Sequence, residues 1–329
     1  MPIYFDARWI GEHGIGRFAR EVRQRLPEDT VDLLGGDPVS LRGLLELERQ
    51  TLIRCGRGEV FFSPGYAPPV TWRGPMVFTI HDLIHVDVPE ERSRFKTLYY
   101  SRVVRPAVHR ADRVFTDSEY SRQRILEWSG AAPEKVVVVS CGVSDQFSPN
   151  GPTYSPGYPY IFYVRNPKPH KNTLGLIRAF ALLADQHIRL LLSGRPDADL
   201  QHEALRLGVF GRVIFTGRIP EEELPAYYRG AAVVTMPSFY EGFGLPPLEG
   251  MASGVPVVVA NATSLPEVVG DAGLLVDPAS PESIAEGLEL ALTDTDLRHQ
   301  LIERGLERSK LFTWDKVGNR VRQELALLS

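Results

Sequence analysis

The amino-acid sequence predicts an α/β protein built from two doubly wound parallel-sheet domains. Three observations carry that prediction. The chain has 329 residues, whereas a single hydrophobic core stops growing at roughly 250–300. Short apolar runs rich in Val, Ile and Phe alternate with amphipathic stretches along its length, the order expected of strands and crossover helices. A proline-rich segment, Pro149 to Pro159, divides this alternation into two sets of similar size.

In the first set the strands are expected at Ile3–Asp6, Val60–Ser63, Val77–Ile80, Val114–Thr116 and Val136–Val139. In the second they fall at Tyr160–Val164, Ile188–Leu192, Val213–Phe215, Val233–Met236, Val255–Val259 and Leu274–Val276. Continuous apolar strands of this kind suit a parallel sheet covered on both faces. Helical spacing shows between them, for example at Ile15, Phe18, Ala19 and Val22. The segment Pro149–Pro159 holds four prolines and two glycines in eleven residues, which suits neither a helix nor a central strand. The expected domains are therefore 1–150 and 151–313. Two such sheets facing each other would leave a cleft, a common place for a ligand.

Hydrophobic residues make up 43% of the chain and charged residues 24%. Those values exclude a disordered chain, a collagen-like repeat and a coiled-coil rod. No apolar run approaches the ~18–20 residues that span a bilayer. The opening Met-Pro-Ile-Tyr-Phe-Asp-Ala-Arg lacks the basic-then-apolar order of a secretory signal. A net charge of −4 gives no support for nucleic-acid binding. Cys55 and Cys141, 86 positions apart, form neither a zinc pattern nor a disulfide scaffold. The expected compartment is the reducing cytoplasm.

The chemistry concentrates in Ser238-Phe-Tyr-Glu-Gly-Phe-Gly-Leu-Pro-Pro-Leu-Glu249, directly after the expected strand Val233–Met236. Gly242 and Gly244 allow a tight turn with exposed amides. Pro246 and Pro247 fit the first turn of a helix, and Gly254 fits its end. A glycine loop that feeds a helix N-terminus attracts an anion. Two carboxylates, Glu241 and Glu249, bracket this anion site. Carboxylates accept hydrogen bonds and suit vicinal hydroxyls, so the combination points to a ligand with phosphate and polyol together. A second basic element, Arg165, Lys168 and Lys171, follows the strand that opens the second domain, with no acid between these residues.

On these residues the sequence resembles the retaining, GT-B-fold glycosyltransferases of family four, the group-1 glycosyltransferases. Their mark is a pair of Glu residues separated by seven others, matched by Glu241 to Glu249. Further matches are Gly14-Ile-Gly-Arg-Phe18, Ile80-His-Asp-Leu83, Thr116-Asp-Ser-Glu119, His170-Lys-Asn172, Phe215-Thr-Gly-Arg218 and Pro266-Glu-Val268. The resemblance implies that Glu249 binds the nucleotide ribose and Glu241 the donor sugar. Amides of Gly242, Phe243, Gly244 and Leu245 would meet the sugar and the distal phosphate. Lys171 would hold the diphosphate with either Arg165 or Lys168. Ser193, Gly194, Gly217, Arg218 and Ile219 would line the phosphate and base pocket. In the first domain, Gly14, Ile15, Gly16, His81, Asp82 and Ser118 would face the cleft. His81 would reach the donor sugar or acceptor, and Asp82 would orient it. The amphipathic pattern from Trp314 to Leu328 would pack back on the first domain, as terminal helices do in GT-B relatives.

Other patterns are weaker. Asp197-Ala-Asp199 spells a metal-binding DxD, but Asp294-Thr-Asp296 repeats it within a helical pattern, and Asp199 suits a helix cap. His81 and His85 have zinc-pair spacing without a third ligand. No metal or other cofactor is expected. Residues 92–110 carry six Arg and Lys and no acid, interleaved with Phe95, Leu98, Tyr99, Tyr100, Val103 and Val104. This reads either as a helix with a solvated basic face or as a peripheral contact with the inner face of a membrane. Pro106 should kink or end that helix.

The resemblance implies a metal-independent hexosyltransferase. It would use a nucleoside-diphosphate sugar and a saccharide, glycolipid or small-molecule acceptor. The His-Asp-Leu-Ile-His segment and the Gly-Ile-Gly-Arg loop look most like bacterial mannosyltransferases of surface polysaccharides, which makes GDP-mannose the first donor expected. A sugar-nucleotide epimerase of the same fold and a catalytically silent nucleotide-sugar-binding scaffold are the alternatives.

Overall fold

The computed structural model describes residues 2–54 and 58–328. Cys55 lies outside these residues. The chain divides into two compact units, one made of residues 1–142 and 313–329, the other of 143–312.

Among its described residues the first unit holds six parallel strands, β1 (Ile3–Asp6), β2 (Val31–Leu33), β3 (Val60–Ser63), β4 (Met76–Thr79), β5 (Arg113–Thr116) and β6 (Val136–Val138). Their spatial order is β2-β1-β3-β4-β5-β6. The helices between them are α1 (Gly14–Arg23), α2 (Leu41–Arg54), α3 (Ile84–Asp87), α4 (Arg94–Tyr99), α5 (Arg105–Arg110) and α6 (Glu119–Ser129). Strands β1, β3 and β4 are buried at every residue, the consequence of helices covering both sheet faces. Strand β2 was not expected from the sequence. It is a three-residue edge strand with a charged centre, paired to β1 through Phe5 and Asp32.

The second unit also has six parallel strands: β7 (Tyr160–Tyr163), β8 (Arg189–Leu192), β9 (Val213–Phe215), β10 (Val233–Met236), β11 (Val257–Ala260) and β12 (Gly273–Val276). They lie in the order β12-β11-β10-β7-β8-β9. Around them run α7 (Thr173–Leu182), α8 (Ala198–Arg206), α9 (Leu224–Gly230), α10 (Leu245–Ala252), α11 (Leu265–Val269), α12 (Pro281–Thr293) and α13 (Thr295–Ser309). This is the doubly wound order, reversing direction between β7 and β10.

The change of unit falls at 142/143, ahead of the proline-rich segment. That segment packs within the second unit: Tyr154 stacks on Tyr227 at 4.0 Å, and the Arg229 guanidinium donates to the Pro152 carbonyl at 2.7 Å. Prolines make it irregular, but aromatic stacking makes it part of the fold rather than a tether. At the other end, α14 (Trp314–Ala326) belongs to the first unit and packs on α1. It buries Trp314, Val317, Val321 and Leu325. Trp314 meets Phe18 edge to face, and Arg25 pairs with Asp315 at 2.8 Å. At ~1.5–3 kcal/mol per fully buried large apolar side chain, this face suffices to hold the returning segment.

Pro106 does not end its helix. A π-helical turn, Tyr100–Val104, joins α4 to α5, and the helix runs on to Arg110. The wider turn takes up the missing proline N–H without a break.

Candidate active site

In a doubly wound sheet, adjacent strands whose following loops leave in opposite directions open a crevice at their carboxyl ends. In the second unit those strands are β7 and β10. The loop after β7 carries Arg165, Lys168 and Lys171, and the loop after β10 carries Glu241 to Gly244. The topology therefore places two elements far apart in sequence at one crevice.

The Lys171 ammonium donates to both oxygens of Glu241, at 2.8 and 2.7 Å. Lys171 ends a short 3-10 turn, and its carbonyl accepts from the buried Tyr163 hydroxyl at 2.7 Å. Burial pushes the Tyr163 hydroxyl well up from its usual range, with the Glu241 charge adding to it, so the phenol stays a donor. The next residue, Asn172, adopts a left-handed conformation with φ +54. Its amide donates to the carbonyls of Pro237 (3.0 Å) and Pro278 (2.7 Å), tying three loops together.

The glycine loop is held from the loop after β11. The Glu241 amide donates to Thr263 Oγ1 at 3.0 Å, and Ser264 Oγ donates to the carbonyls of Glu241 (3.0 Å) and Phe243 (2.8 Å). Thr263 has φ +53, a costly conformation for a β-branched residue. Backbone strain is thus spent at the point that fixes Glu241. Sequence reading missed Asn172, Thr263 and Ser264 as supports, although Asn172 stood in a quoted motif.

Gly244 has φ +126, and a Cβ there would lie 2.8 Å from Leu265 Cδ2. It opens α10, whose first turn contains Pro246 and Pro247. These prolines remove two of the amides a helix N-terminus normally presents, leaving those of the glycine loop and Leu245 as its donors. Phe243 is buried edge to face against Phe312, so this residue offers backbone only. Glu249 lies in α10 at 3% exposure and accepts from the Tyr228 hydroxyl of α9 at 2.6 Å. Tyr228 is a further support missed by sequence reading. The helix ends as expected, with Gly254 at φ +74 beyond it.

Arg165 lies elsewhere on the rim. Its amide donates to Ser193 Oγ at 2.9 Å. Its guanidinium donates to the carbonyls of Ser193 (3.2 Å) and Arg195 (2.6 Å) and lies over the Phe215 ring. Partial burial pushes its pKa down, against the opposing charge of Asp197. Here Arg165 joins β7 to β8, while Lys168 is exposed on the same loop. Ser193 serves as the acceptor for Arg165. Gly194 (φ +88) and Gly217 (φ +73) pair through reciprocal backbone bonds, with open space where each Cβ would stand. Arg218 is exposed and Ile219 half-buried beside them.

In the first unit, His81 follows β4 and is buried at 9% exposure. Its Nδ1 lies 2.7 Å from Asp117 Oδ2 and its Nε2 2.9 Å from the Pro64 carbonyl. An ionised Asp117 and the Pro64 carbonyl are both acceptors, so the two contacts suit a ring that donates from both nitrogens, the imidazolium form. Burial alone would lower its pKa, but the Asp117 charge and hydrogen bond, the Pro64 carbonyl and the Asp82 charge together raise it. The hydrogen-bond partner of His81 is therefore Asp117, and Asp82 acts on the ring through its charge. Asp82 instead accepts from the Ile84 amide at 2.9 Å and starts α3. Asp117 also faces the buried Cys141, whose thiol is pushed well up by burial. Ser118 is fully buried and caps α6 through the Ser121 amide.

Gly14, Ile15 and Gly16 form the first turn of α1, capped by His13 Nδ1 accepting from the Gly16 amide at 3.0 Å. A Cβ on Gly16 would lie 2.4 Å from the Gly11 carbonyl oxygen, so close packing alone requires glycine there. Asp197, rather than Asp199, caps α8, and Asp294 caps α13. His85 meets the Lys96 ammonium at 3.2 Å. Among the described residues no helix is long and apolar enough to cross a membrane.

Two parallel six-stranded units, with paired glutamates at the switch point of the second, define a GT-B glycosyltransferase architecture. The family model for Glycosyl transferases group 1 matches residues 147–308, and that for Glycosyltransferase Family 4 matches residues 13–147. The O-antigen chain mannosyltransferase B of Escherichia coli is 34% identical over 254 residues, which cover 73% of this chain and 67% of that protein. The D-inositol 3-phosphate glycosyltransferase of Corynebacterium glutamicum (strain R) is 32% identical over 275 residues, covering 74% of this chain and 64% of that protein. The chain thus spans about two thirds of the length of these relatives. Anabaena HepE, solved in complex with UDP and glucose, shares the fold with a TM-score of 0.81 at 18% identity, covering 99% of each chain. The chain belongs to the group 1 glycosyltransferases.

Proposed function

We propose that this protein transfers a hexose, mannose from GDP-mannose, with retention of configuration to a hydroxyl of a saccharide, glycolipid or natural-product acceptor. The observation that carries this reading is the Lys171–Glu241 pair beside the glycine loop at the switch point. The likeness to an O-antigen mannosyltransferase supports the choice of sugar.

In this reading Glu249, fixed by Tyr228, accepts from the ribose hydroxyls. Glu241 accepts from a sugar hydroxyl. Lys171 turns from carboxylate to diphosphate while staying near both. Lys168 and the amides of Phe243 to Leu245 add donors, and Arg165 joins them if its guanidinium leaves the Ser193 and Arg195 carbonyls. The bond between the anomeric carbon and the phosphate oxygen breaks. The acceptor oxygen bonds that carbon on the same face, and its proton passes to the departing phosphate. The charge on that phosphate is met by the protein without a metal. One preorganised donor in such a site is worth ~3–4 kcal/mol, or ~10²–10³ in rate.

Thermal shift with GDP, UDP, ADP and dTDP and their sugars, in EDTA and again with a divalent ion added, tests the reading, and the anomer of the product is read separately. At a hundredfold excess over Kd a ligand adds ~2.7 kcal/mol, or roughly 5–10 °C for a unit of this size. The expected result is a shift by guanine nucleotides, lost in Lys171→Ala and in Glu249→Gln. No shift from any nucleotide in folded protein overturns the reading. A shift that requires a divalent ion overturns its metal-free part, and an inverted product anomer overturns retention.

A further inference from the structure

Lys171 and Glu241 neutralise each other. The ammonium meets both carboxylate oxygens, at 2.8 and 2.7 Å, and the two side chains are only 17% and 11% exposed. Among the described residues Lys171 is the one cation paired with Glu241. The two backbones are fixed independently of the pair. The Glu241 amide donates to Thr263 and its carbonyl accepts from Ser264, while the Lys171 carbonyl accepts from Tyr163. An exchange of partners therefore needs only side-chain rotation. Glu249 is held differently, by the neutral hydroxyl of Tyr228. Of the two carboxylates, Glu241 is thus the one that must surrender a cation when a diphosphate arrives.

We propose that Glu241 discriminates against the bare nucleoside diphosphate, and that its recapture of Lys171 drives product release. This rests on the donor-site reading above. A diphosphate draws the ammonium away from the carboxylate. With a sugar attached, sugar hydroxyls donate to Glu241 and replace what it has lost. Without the sugar, Glu241 is a mostly buried anion left unpaired, an unfavourable state, and it faces a second anion. Transfer adds to this repulsion. As the bond between the anomeric carbon and the phosphate oxygen breaks, its electron pair stays on that oxygen. The oxygen takes the acceptor's proton and then sheds it to water, because a terminal phosphate has its second ionisation near pH ~6. The product carries more negative charge than the donor and brings no sugar hydroxyl to Glu241. Lys171 returns to the carboxylate, and the diphosphate loses a cation. The selection acts at the distal phosphate, so it does not depend on the base, and inorganic pyrophosphate reports it as well.

Isothermal titration of the full chain with GDP, GDP-mannose and inorganic pyrophosphate, in EDTA, tests this. In Glu241→Gln the carboxamide keeps the shape and loses the charge. A charge-assisted hydrogen bond that must be broken opposes binding by roughly ten- to a hundredfold. GDP and pyrophosphate should therefore bind the variant about tenfold or more tightly than the parent. GDP-mannose should gain less, since its sugar loses a charged acceptor, so the preference for the sugar nucleotide falls. Glu241→Ala should move in the same direction. On a Lys171→Ala background the gain from Glu241→Gln should shrink, because no ammonium is left to free. The backbone bonds to Thr263 and Ser264 persist in each variant, and circular dichroism should match the parent. Parental or weaker binding of GDP and pyrophosphate by both Glu241 variants overturns the proposal. So does an equal gain for GDP and GDP-mannose, or an undiminished gain on the Lys171→Ala background. A parent that binds none of the three overturns the donor-site reading and this inference with it. A parent that binds, with variants that keep its preference, overturns this inference alone.

Discussion

Asp117→Asn should alter stability in a pH-dependent way that can be worked out from the contacts of His81. The ring is held between two acceptors, Asp117 Oδ2 at 2.7 Å and the Pro64 carbonyl at 2.9 Å. Its folded pKa lies above the ordinary value near 6.5. A histidine with a raised folded pKa contributes stability that is fully present below the unfolded pKa of ~6.5. That contribution is lost as pH rises through the folded value. Asparagine keeps the shape and one hydrogen bond but removes the charge, at a cost of ~1.5–3 kcal/mol for a charge-assisted bond. Alanine leaves the ring with one acceptor, and breaking a buried pair this way costs ~3–5 kcal/mol. For a protein of this size 1 kcal/mol moves Tm by ~2–4 °C, so Asp117→Asn should melt roughly 3–12 °C lower at pH 6. Thermal unfolding of parent and variant from pH 5.5 to 9 is the assay. The other seven histidines contribute equally to both and cancel in the difference. The gap should be widest at the acid end and narrow with rising pH. A gap that is constant with pH, or that widens towards alkali, refutes the imidazolium assignment.

Further outcomes follow from the second unit. Lys171→Ala leaves Glu241 without its ammonium and the diphosphate without a donor, and should lower kcat/KM with the identified donor by ~10²–10³, measured by product formation. Gly244→Ala asks alanine to take φ +126 with its Cβ 2.8 Å from Leu265; the strain of ~1–3 kcal/mol should appear as a lower Tm together with loss of the nucleotide shift. Tyr228→Phe deprives buried Glu249 of a 2.6 Å hydrogen bond and should cost ~1.5–3 kcal/mol, read by denaturant unfolding; a variant as stable as the parent would show that this bond does not matter.

Sequence by itself determined the layered α/β plan, because strands buried on both faces read as short, largely apolar runs rather than as alternating ones. That rule marks β1, β3, β7 and β10 wherever they sit. It fails for β2, whose three residues at a sheet edge need only one neighbour and tolerate a central Asp32. Sequence also determined the local parts of the site. Gly244, the prolines after it and the spacing of Glu241 from Glu249 are properties of one loop and one helix, and those are written in consecutive residues. Tertiary structure alone decided which groups meet. Lys171 and Glu241 are 70 residues apart and pair because β7 and β10 are neighbours at the switch point. Tyr228 reaches Glu249 across 21 residues, and Asp117 reaches His81 across 36. The adjacent Asp82 was the obvious partner for His81 in a linear reading, but it turns to start α3. A parallel sheet brings together the carboxyl ends of strands separated by whole helices. Partners across that edge are therefore set by strand order, which no local pattern of residues records.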